Sequence, residues 1–425
     1  MIVGGFASTP LIDRVLSIYP LQRTGDVSYS LYLWHWPLLV LFVPATGGRL
    51  TKVSLVALAY VLAVITYELV EQPPRRLIKS PARTYQFGGA LIAVGLVAAY
   101  GAARLPRLNA GIAVRDPPGV APAFAPEPGF VPSNLRPPLD RAAKDFAPLF
   151  VRCSASFEPS IPRLCGAGTI APRRTMVVFG DSHAAQWVGP LAQIARTRGW
   201  SLDNLTKADC PASEVRVFVI TPLNGEYHAC DAWRARAISV IARLKPALTV
   251  VSSARSYGYP GVPRSAFRAR VEAGLLNTLR MVARAGPVLS LADTPQFRSS
   301  RPVCLSGQLH DPASCGAPAR VAADPGYTAL ERRAAAAAGV DFADLNSVIC
   351  PAGACDPIHG NLLIYADNNH LTATFVDALE PELAAVVKSA LTARTRTRVH
   401  AASGVQIMHS SIMRPNTVTL RHPSS

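Results

Sequence analysis

Two short polar motifs, far apart in the sequence, combine residue types that could support acyl transfer. The motif Gly180-Asp181-Ser182-His183 follows the apolar run TMVVFG, and Asp367-Asn368-Asn369-His370 follows LLIYAD. Serine is a weak nucleophile until a base takes its proton, and a carboxylate can hold a histidine in the tautomer that does so. The two motifs therefore predict Ser182 as nucleophile, His370 as base and Asp367 as the residue that orients His370.

The segment around Ser182 is typical of a turn from a strand into a helix. The exposed backbone N–H groups and the dipole of such a helix can stabilise an oxyanion, although a serine there can also be a simple N-cap. Asp181 and His183 are its neighbours, and Arg255 follows another apolar run, ALTVVSS. These three residues are candidates for oxyanion or substrate binding, and a surface arginine is the alternative for Arg255.

The elements that would position these residues alternate between strand and helix patterns from Thr175 onward. Because strands that alternate with helices favour a parallel sheet, we expect an α/β domain of three layers with helices on both faces of the sheet. Reactive groups gather at the carboxyl ends of strands in such sheets, which would bring the two motifs together. The strand patterns are TMVVFG, ALTVVSS, PVLSLAD, VDFADL and LLIYAD, and the helix patterns cover 184–198, 265–285 and 372–391.

Three long apolar segments precede this domain, at 27–44, 53–70 and 87–103. Each has few charges and is near the length of about 17 to 25 residues that spans a bilayer as a helix, so we predict three transmembrane helices. His35 lies in the first of them and is a functional candidate, because an ionisable group that faces lipid is costly; a role in helix packing is the alternative.

The basic residues of the loops predict the orientation of these helices. The loop after the second segment is richer in them than the loop after the first, which favours a cytoplasmic location for the second loop. Residues after about 104 would then lie outside the cytoplasm. The second loop carries Arg75, Arg76, Lys79 and Arg83, and the first carries Arg49 and Lys52.

All eight cysteines lie after residue 150. An even number confined to one domain favours disulfides in an oxidising compartment, and we expect sequence neighbours to pair. The alternative is a zinc site, but no C-x-x-C pair occurs and no histidines cluster beside the cysteines, so no metal is expected. The cysteines are Cys153, Cys165, Cys210, Cys230, Cys304, Cys315, Cys350 and Cys355.

The composition excludes one partner that the charge of the chain suggests. The net charge is +16, yet the basic residues are spread along the 425 residues and no basic patch with interleaved aromatic residues occurs, so no nucleic acid is expected. The predicted organisation is transmembrane helices over 1–104, a Pro-rich linker over 105–139, the outer domain over 140–395 and a disordered tail over 396–425.

The motifs resemble two known protein families. GDSH with DNNHL resembles the first and last sequence blocks of the SGNH (GDSL-like) hydrolase superfamily. GDVSYSLYLWHWPLLV followed by YELVEQPPRR resembles the last helices of the acyltransferase-3 family of membrane O-acetylases, which often carry an extracytoplasmic SGNH domain. The resemblance covers about residues 24–390. It implies the same roles for Ser182, His370 and Asp367, with the backbone of Ser182 as one oxyanion donor, but the oxyanion asparagine of the superfamily has no clear counterpart near Arg255.

The resemblance implies transfer of an acyl group, usually acetyl, to sugar hydroxyls of an envelope glycan such as lipopolysaccharide or peptidoglycan. It places the chain in the bacterial inner membrane as a multi-pass protein with its C-terminal domain in the periplasm. No cofactor is expected; acetyl-CoA would be the ultimate acyl donor, and the partners would be this donor and the glycan acceptor.

The family's early membrane helices have no counterpart in this sequence. We therefore expect an N-terminally truncated chain, or a partner that supplies those helices. Two other functions stay open, namely an extracytoplasmic carbohydrate esterase and a non-catalytic, membrane-anchored glycan-binding domain.

Overall fold

The computed structural model describes residues 17–42, 49–73, 80–103, 108–115, 120–168 and 174–392. The chain divides into two compact units, 1–106 and 107–425. The predicted disordered tail over 396–425 lies outside the described residues, and so do Arg75, Arg76 and Lys79 of the predicted cytoplasmic loop.

The first unit is helical. By length and composition alone, two of its helical stretches could cross a membrane, Lys52–Glu71 and Pro81–Gly101. Within the described ranges these are two stretches rather than the predicted three; the helix described in the first segment, Ser28–Phe42, has 15 residues and is not among them. The helices are α1 (Tyr19–Asp26), α2 (Ser28–Phe42), α3 (Arg49–Thr66), which continues as a π-helical turn (Tyr67–Glu71), and α4 (Pro81–Ala103).

Polar side chains join α2 to the end of α3. Trp34 Nε1 donates a hydrogen bond to Thr66 Oγ1 at 2.9 Å, and Ser30 is hydrogen-bonded to Glu71 in the π-helical turn. His35 is half-buried, and its Nδ1 lies 3.1 Å from the carbonyl of Leu31 in its own helix. A functional role for His35 stays a prediction.

A six-stranded sheet forms the centre of the second unit, in the order β1-β3-β2-β4-β5-β6. Strand β1 is antiparallel to β3, and the other neighbours are parallel. The prediction of an α/β domain with a mostly parallel sheet is therefore confirmed. The strands are β1 (Gly166–Ala167), β2 (Thr175–Gly180), β3 (Ser201–Thr206), β4 (Leu248–Ser252), β5 (Val288–Leu291) and β6 (Asp341–Ala343).

Helices cover both faces of this sheet. Alternate side chains of the central strands point to opposite faces, and both sets are apolar, so each face needs a covering layer. Met176 and Val178 of β2 pack in one core cluster with Leu191, whereas Val177 and Phe179 pack in another. The helices are α5 (Pro148–Cys153), α6 (Ser182–Ala185), α7 (Val188–Thr197), α8 (His228–Leu244), α9 (Arg264–Ala283), α10 (Arg301–Ser306), α11 (Ala319–Ala322), α12 (Pro325–Ala338), α13 (Asn346–Ile349), α14 (Ala373–Ala378) and a last stretch over 380–392.

Two strands differ from the sequence predictions. The run LLIYAD is not a strand of the main sheet, because Leu362–Leu363 pairs antiparallel with Ile358–His359 in a separate two-stranded sheet. Strand β3 was not predicted, since its sequence SLDNLT mixes polar and apolar residues instead of forming an apolar run. The remaining strands form two further pairs, Phe218–Val219 with Gly225–Glu226 and Ala317–Pro318 with Ala354–Cys355.

Part of the predicted linker over 105–139 packs against the outer domain. Val131, Leu135 and Leu139 are buried in a small core cluster with Ile358 and Leu363. The backbone N–H of Arg136 also donates to the carbonyl of Asn361 at 2.8 Å. The domain boundaries drawn from the sequence stay predictions.

Four disulfides close short loops in the second unit, and each joins sequence neighbours, as expected. All eight cysteines lie in the described ranges, and each of them is paired. The pairs are Cys153–Cys165, Cys210–Cys230, Cys304–Cys315 and Cys350–Cys355.

We predict that the four disulfides stabilise the domain unequally. Cys210–Cys230 closes a separation of 20 residues and Cys350–Cys355 one of 5, which corresponds to about 3 and about 2 kcal/mol of loop entropy in the unfolded chain. Replacing the first pair by alanine should therefore lower the melting temperature of the full chain in detergent by roughly 2 to 4 °C more than replacing the second. Circular dichroism measures the melting, and equal shifts would contradict the prediction. As a control, the denatured, unreduced wild type should show no reactive thiol.

Candidate active site

The last residue of β2 is a glycine whose backbone conformation and surroundings admit no side chain. Gly180 has a φ of +146°, and a Cβ added there would lie 1.9 Å from the carbonyl oxygen of Ser252 in β4. Only glycine tolerates both the backbone conformation and this close approach. The chain therefore turns sharply after β2, and Ser182 becomes the first residue of α6.

Ser182, His370 and Asp367 form a hydrogen-bonded chain. His370 Nε2 lies 2.8 Å from Ser182 Oγ, and His370 Nδ1 lies 2.7 Å from Asp367 Oδ2. Because a carboxylate only accepts hydrogen bonds, Nδ1 carries the proton in the neutral imidazole and Nε2 is free to accept one from Ser182. This arrangement can remove the serine proton during attack on a carbonyl carbon.

Asp367 is held in its ionised form. Burial alone would raise its pKa, but the hydrogen bond and the charge of His370, together with the backbone N–H groups of Asn369 and His370, lower the pKa to about 2. Both N–H groups donate to Asp367 Oδ1 at 2.8 Å. The carboxylate therefore stays charged at neutral pH and can stabilise an imidazolium at His370.

The loop that carries His370 is fixed from several sides. The N–H of Leu371 donates to Gln186 Oε1 at 3.0 Å, and Thr372 caps α14 by accepting from the N–H of Phe375. The rings of Phe146 and Phe150 contact His370 edge-on, with centroid separations of 5.7 and 6.2 Å. These contacts leave the imidazole half-buried and oriented toward Ser182.

The buried carboxylate of Asp181 joins β2 to the loop after β4. Its Oδ1 accepts from the N–H of His183 at 2.8 Å, and its Oδ2 accepts from the N–H of Ala254 at 2.8 Å and from Tyr257 Oη at 2.6 Å. Burial raises its pKa, and the charge of His183 and these hydrogen bonds oppose the rise. A direct oxyanion or substrate contact of Asp181 stays a prediction.

His183 and Arg255 are both buried and both bind Asp293. His183 Nδ1 lies 2.6 Å from Asp293 Oδ1, and Arg255 Nη1 donates to Asp293 Oδ2 at 2.7 Å. Arg255 Nη1 also donates to the carbonyl of Thr294 at 2.7 Å. Arg255 is thus not a surface arginine, and the oxyanion or substrate-binding role of both residues stays a prediction.

The sequence analysis missed Asp293 and Asp209, which also follow strands of the sheet. Asp293 ends the run PVLSLAD, so the argument from strand exits that selected Ser182 could have selected it too. Asp209 follows β3 in a left-handed conformation with a φ of +49°. Burial raises the pKa of Asp209, and the charges of His370 and His183 oppose this rise.

We predict that Asp181→Asn destabilises the domain. The amide nitrogen of an asparagine would replace one carboxylate oxygen, and its N–H groups would face a donor that now binds that oxygen. Leaving a buried donor unpaired costs about 1 to 3 kcal/mol, or roughly 3 to 10 °C in the melting temperature. Tyr257→Phe is the matched control, since it removes one donor and leaves the other two bound, and its effect should be smaller. A melting temperature of Asp181→Asn equal to that of the wild type would contradict the prediction.

Comparisons with known proteins match most of the second unit to a described family of domains. The family model described as the SGNH domain fused to AT3 domains matches residues 152–385. The peptidoglycan O-acetyltransferase OatA of Listeria monocytogenes is 30% identical over 69 residues, which are 15% of this chain and 11% of that protein. The solved periplasmic domain of the Salmonella ser. Paratyphi A lipopolysaccharide acetyltransferase has a TM-score of 0.41 and 16% identity, over 49% of this chain and 82% of that one.

Proposed function

The chain belongs to the family of SGNH domains that are fused to AT3 domains, and from this premise we propose that it is a membrane-anchored O-acyltransferase. It transfers an acyl group, typically acetyl, to sugar hydroxyls of a cell-envelope glycan. The observation that carries the proposal is the hydrogen-bonded chain from Asp367 through His370 to Ser182, with separations of 2.7 and 2.8 Å.

The first half of the reaction forms an acyl ester on Ser182. The Oγ atom attacks the carbonyl carbon of the donor while its proton passes to His370 Nε2, and Asp367 stabilises the imidazolium. When the tetrahedral intermediate collapses, the bond to the leaving atom breaks and His370 gives that atom the proton. The N–H of Ser182 opens α6, where helical N–H groups lack partners within the helix, and it is the proposed oxyanion donor.

The second half transfers the acyl group to the acceptor. A sugar hydroxyl attacks the ester carbon and loses its proton to His370, which returns it to Ser182 Oγ as the acylated sugar leaves. Water in place of the sugar would give hydrolysis by the same steps. Transferase and esterase therefore share every residue named here, and they differ in which nucleophile reaches the ester.

The apolar helices of the first unit and the disulfides of the second unit support a location of the second unit outside the cytoplasm. Two helical stretches are long and apolar enough to anchor the chain, and disulfides persist in oxidising compartments such as the periplasm. We infer that the anchor lies in the bacterial inner membrane, and that the acyl group comes ultimately from acetyl-CoA. The Listeria relative is named for peptidoglycan, which makes wall sugars the first acceptor to test.

We predict that Ser182→Ala abolishes the hydrolysis of an aryl acetate by the purified full chain. The loss should be roughly 10⁴-fold or more, because removal of the nucleophile of such a triad ends covalent catalysis. Ser239→Ala is the control, since Ser239 is exposed on α8 and donates only to the carbonyl of Ala235. Retention of more than about a tenth of the wild-type rate by Ser182→Ala would exclude Ser182 as nucleophile.

We predict further that a glycan acceptor diverts the acyl group from water. Soluble peptidoglycan fragments or lipopolysaccharide sugars, added with the aryl acetate, should yield an O-acetylated sugar with the wild type and none with Ser182→Ala. Mass spectrometry of the sugars measures the product. Ser182-dependent hydrolysis without any acetylated sugar would favour the carbohydrate esterase instead.

A further inference from the structure

Three of the aromatic rings that the structure describes contact His370, and two of them are open to a ligand. The ring centroids of Phe146 and Phe150 lie 5.7 and 6.2 Å from the centroid of His370. The third ring, His183, lies at 5.1 Å but is fully buried. The two phenylalanines are only half-buried, so they present apolar surface to solvent beside the proposed base.

The two phenylalanine rings form one continuous surface, which we call the phenylalanine pair. The centroids of Phe146 and Phe150 are 4.7 Å apart, and the ring planes differ by 14°. Each ring stands nearly perpendicular to the imidazole of His370, at 87° and 88°. The pair is therefore a wall at the side of the base.

The backbone around the pair is fixed by contacts with the rest of the domain. The carbonyl of Asp145 accepts from the N–H of Ala373 at 2.8 Å, and its carboxylate accepts from the N–H of Thr374 at 2.9 Å, at the start of α14. Ala147 and Leu149 are buried in the core cluster below. The rings are thus held in place before any ligand arrives, and a preformed surface loses little conformational entropy on binding.

The position of the pair beside the base favours the acceptor sugar as its ligand over the acyl group. In the second half of the reaction the acyl group is bonded to Ser182 Oγ, so it lies on the side of the serine. The attacking sugar hydroxyl must come within about 2.6 to 3.2 Å of His370 Nε2 to give up its proton. The sugar ring that carries this hydroxyl then lies next to the imidazole, where the pair is.

The surface of the pair suits a pyranose ring. One face of such a ring presents C–H groups, which are apolar and slightly positive, whereas the face of a phenyl ring is slightly negative. Packing the two faces together also removes apolar surface from water. A phenyl ring offers no hydrogen bond of its own, so the pair would recognise an apolar sugar face rather than a particular hydroxyl.

We propose that Phe146 and Phe150 form the acceptor subsite, on which a sugar ring lies while one of its hydroxyls reaches His370. The proposal rests on the proposed function, because it needs His370 to deprotonate the acceptor, and it adds the residues that bind the sugar. The pair takes no part in making or breaking bonds. By holding a sugar at the base, it raises the share of acyl groups that meet a hydroxyl instead of water.

The test measures how the acyl group divides between sugar and water in the wild type and in the double variant Phe146→Leu, Phe150→Leu. Leucine keeps an apolar side chain beside His370 but has no aromatic face. The donor is vinyl acetate, whose small leaving group does not need the pair, and the acceptors are peptidoglycan fragments and lipopolysaccharide sugars. The acceptor concentration that captures half of the acyl groups should rise roughly 10-fold in the full-length double variant.

Hydrolysis of vinyl acetate without an acceptor separates sugar binding from a merely structural role. Its rate should stay within about a factor of three of the wild type in the double variant. Phe146→Tyr keeps an aromatic ring and should keep the half-capture concentration of the wild type. Phe342→Leu is the matched control, because Phe342 is half-buried on β6, three strands away from β2. An unchanged half-capture concentration in the double variant, or hydrolysis that falls as much as transfer, would overturn the proposal.

Sugar binding can also be observed without transfer, which keeps the proposal testable if the leucine variants do not fold. Fluorine nuclear magnetic resonance of the full-length Ser182→Ala chain, labelled with fluorophenylalanine, reports each ring, and Phe146→Tyr and Phe150→Tyr assign the two signals. We expect both signals to shift in a saturable way with one of the two saccharides. If neither saccharide shifts either signal, the acceptor subsite is excluded.

The same measurements distinguish a failure of the subsite from a failure of the proposed function. Saturable shifts of both signals without any acetylated sugar from the wild type would exclude the transferase and leave the subsite as a glycan-binding surface. Acetylated sugar from the wild type without these shifts would exclude the subsite alone.

Discussion

A carboxylate buried at the carboxyl edge of a sheet must have its lone pairs occupied, and the outer domain meets this requirement at Asp181 and at Asp293. An unpaired charge there would cost on the order of several kcal/mol. Asp181 therefore accepts hydrogen bonds from the backbone N–H of His183 in α6 and from that of Ala254 after β4. These bonds fix the first turn of α6, which begins with Ser182. The hydrogen bonds of Asp181 thus hold the turn that carries Ser182.

Much of the site could be predicted from the sequence because its signals are local. TMVVFG is apolar enough to identify a buried strand, and Thr372 marks a helix start just after His370. Together they place Ser182 and His370 at element boundaries, where side chains can meet. The alternation of strand and helix patterns along the sequence predicted the α/β fold class, because each of these patterns is also local.

The rest depends on contacts that no local pattern encodes. Asp293 binds His183 across 110 residues; the strand exit after PVLSLAD indicates Asp293, but no local pattern indicates which residue it pairs with. LLIYAD has the same apolar pattern as a sheet strand, but it pairs with Ile358–His359 instead. Strand β3 is polar because Asp203 is only half-buried and Asn204 hydrogen-bonds the carbonyl of Leu149.

The separation of 188 residues between Ser182 and His370 has a consequence for biosynthesis. Because a chain is synthesised from its N-terminus, Ser182 is made long before the loop that carries His370. Until α14 has emerged and Leu371 has reached Gln186, the serine lies in a segment without an acceptor for its proton. A partly synthesised chain therefore lacks the hydrogen bonds that join Asp367, His370 and Ser182, and these bonds form only when the last segment of the domain has folded.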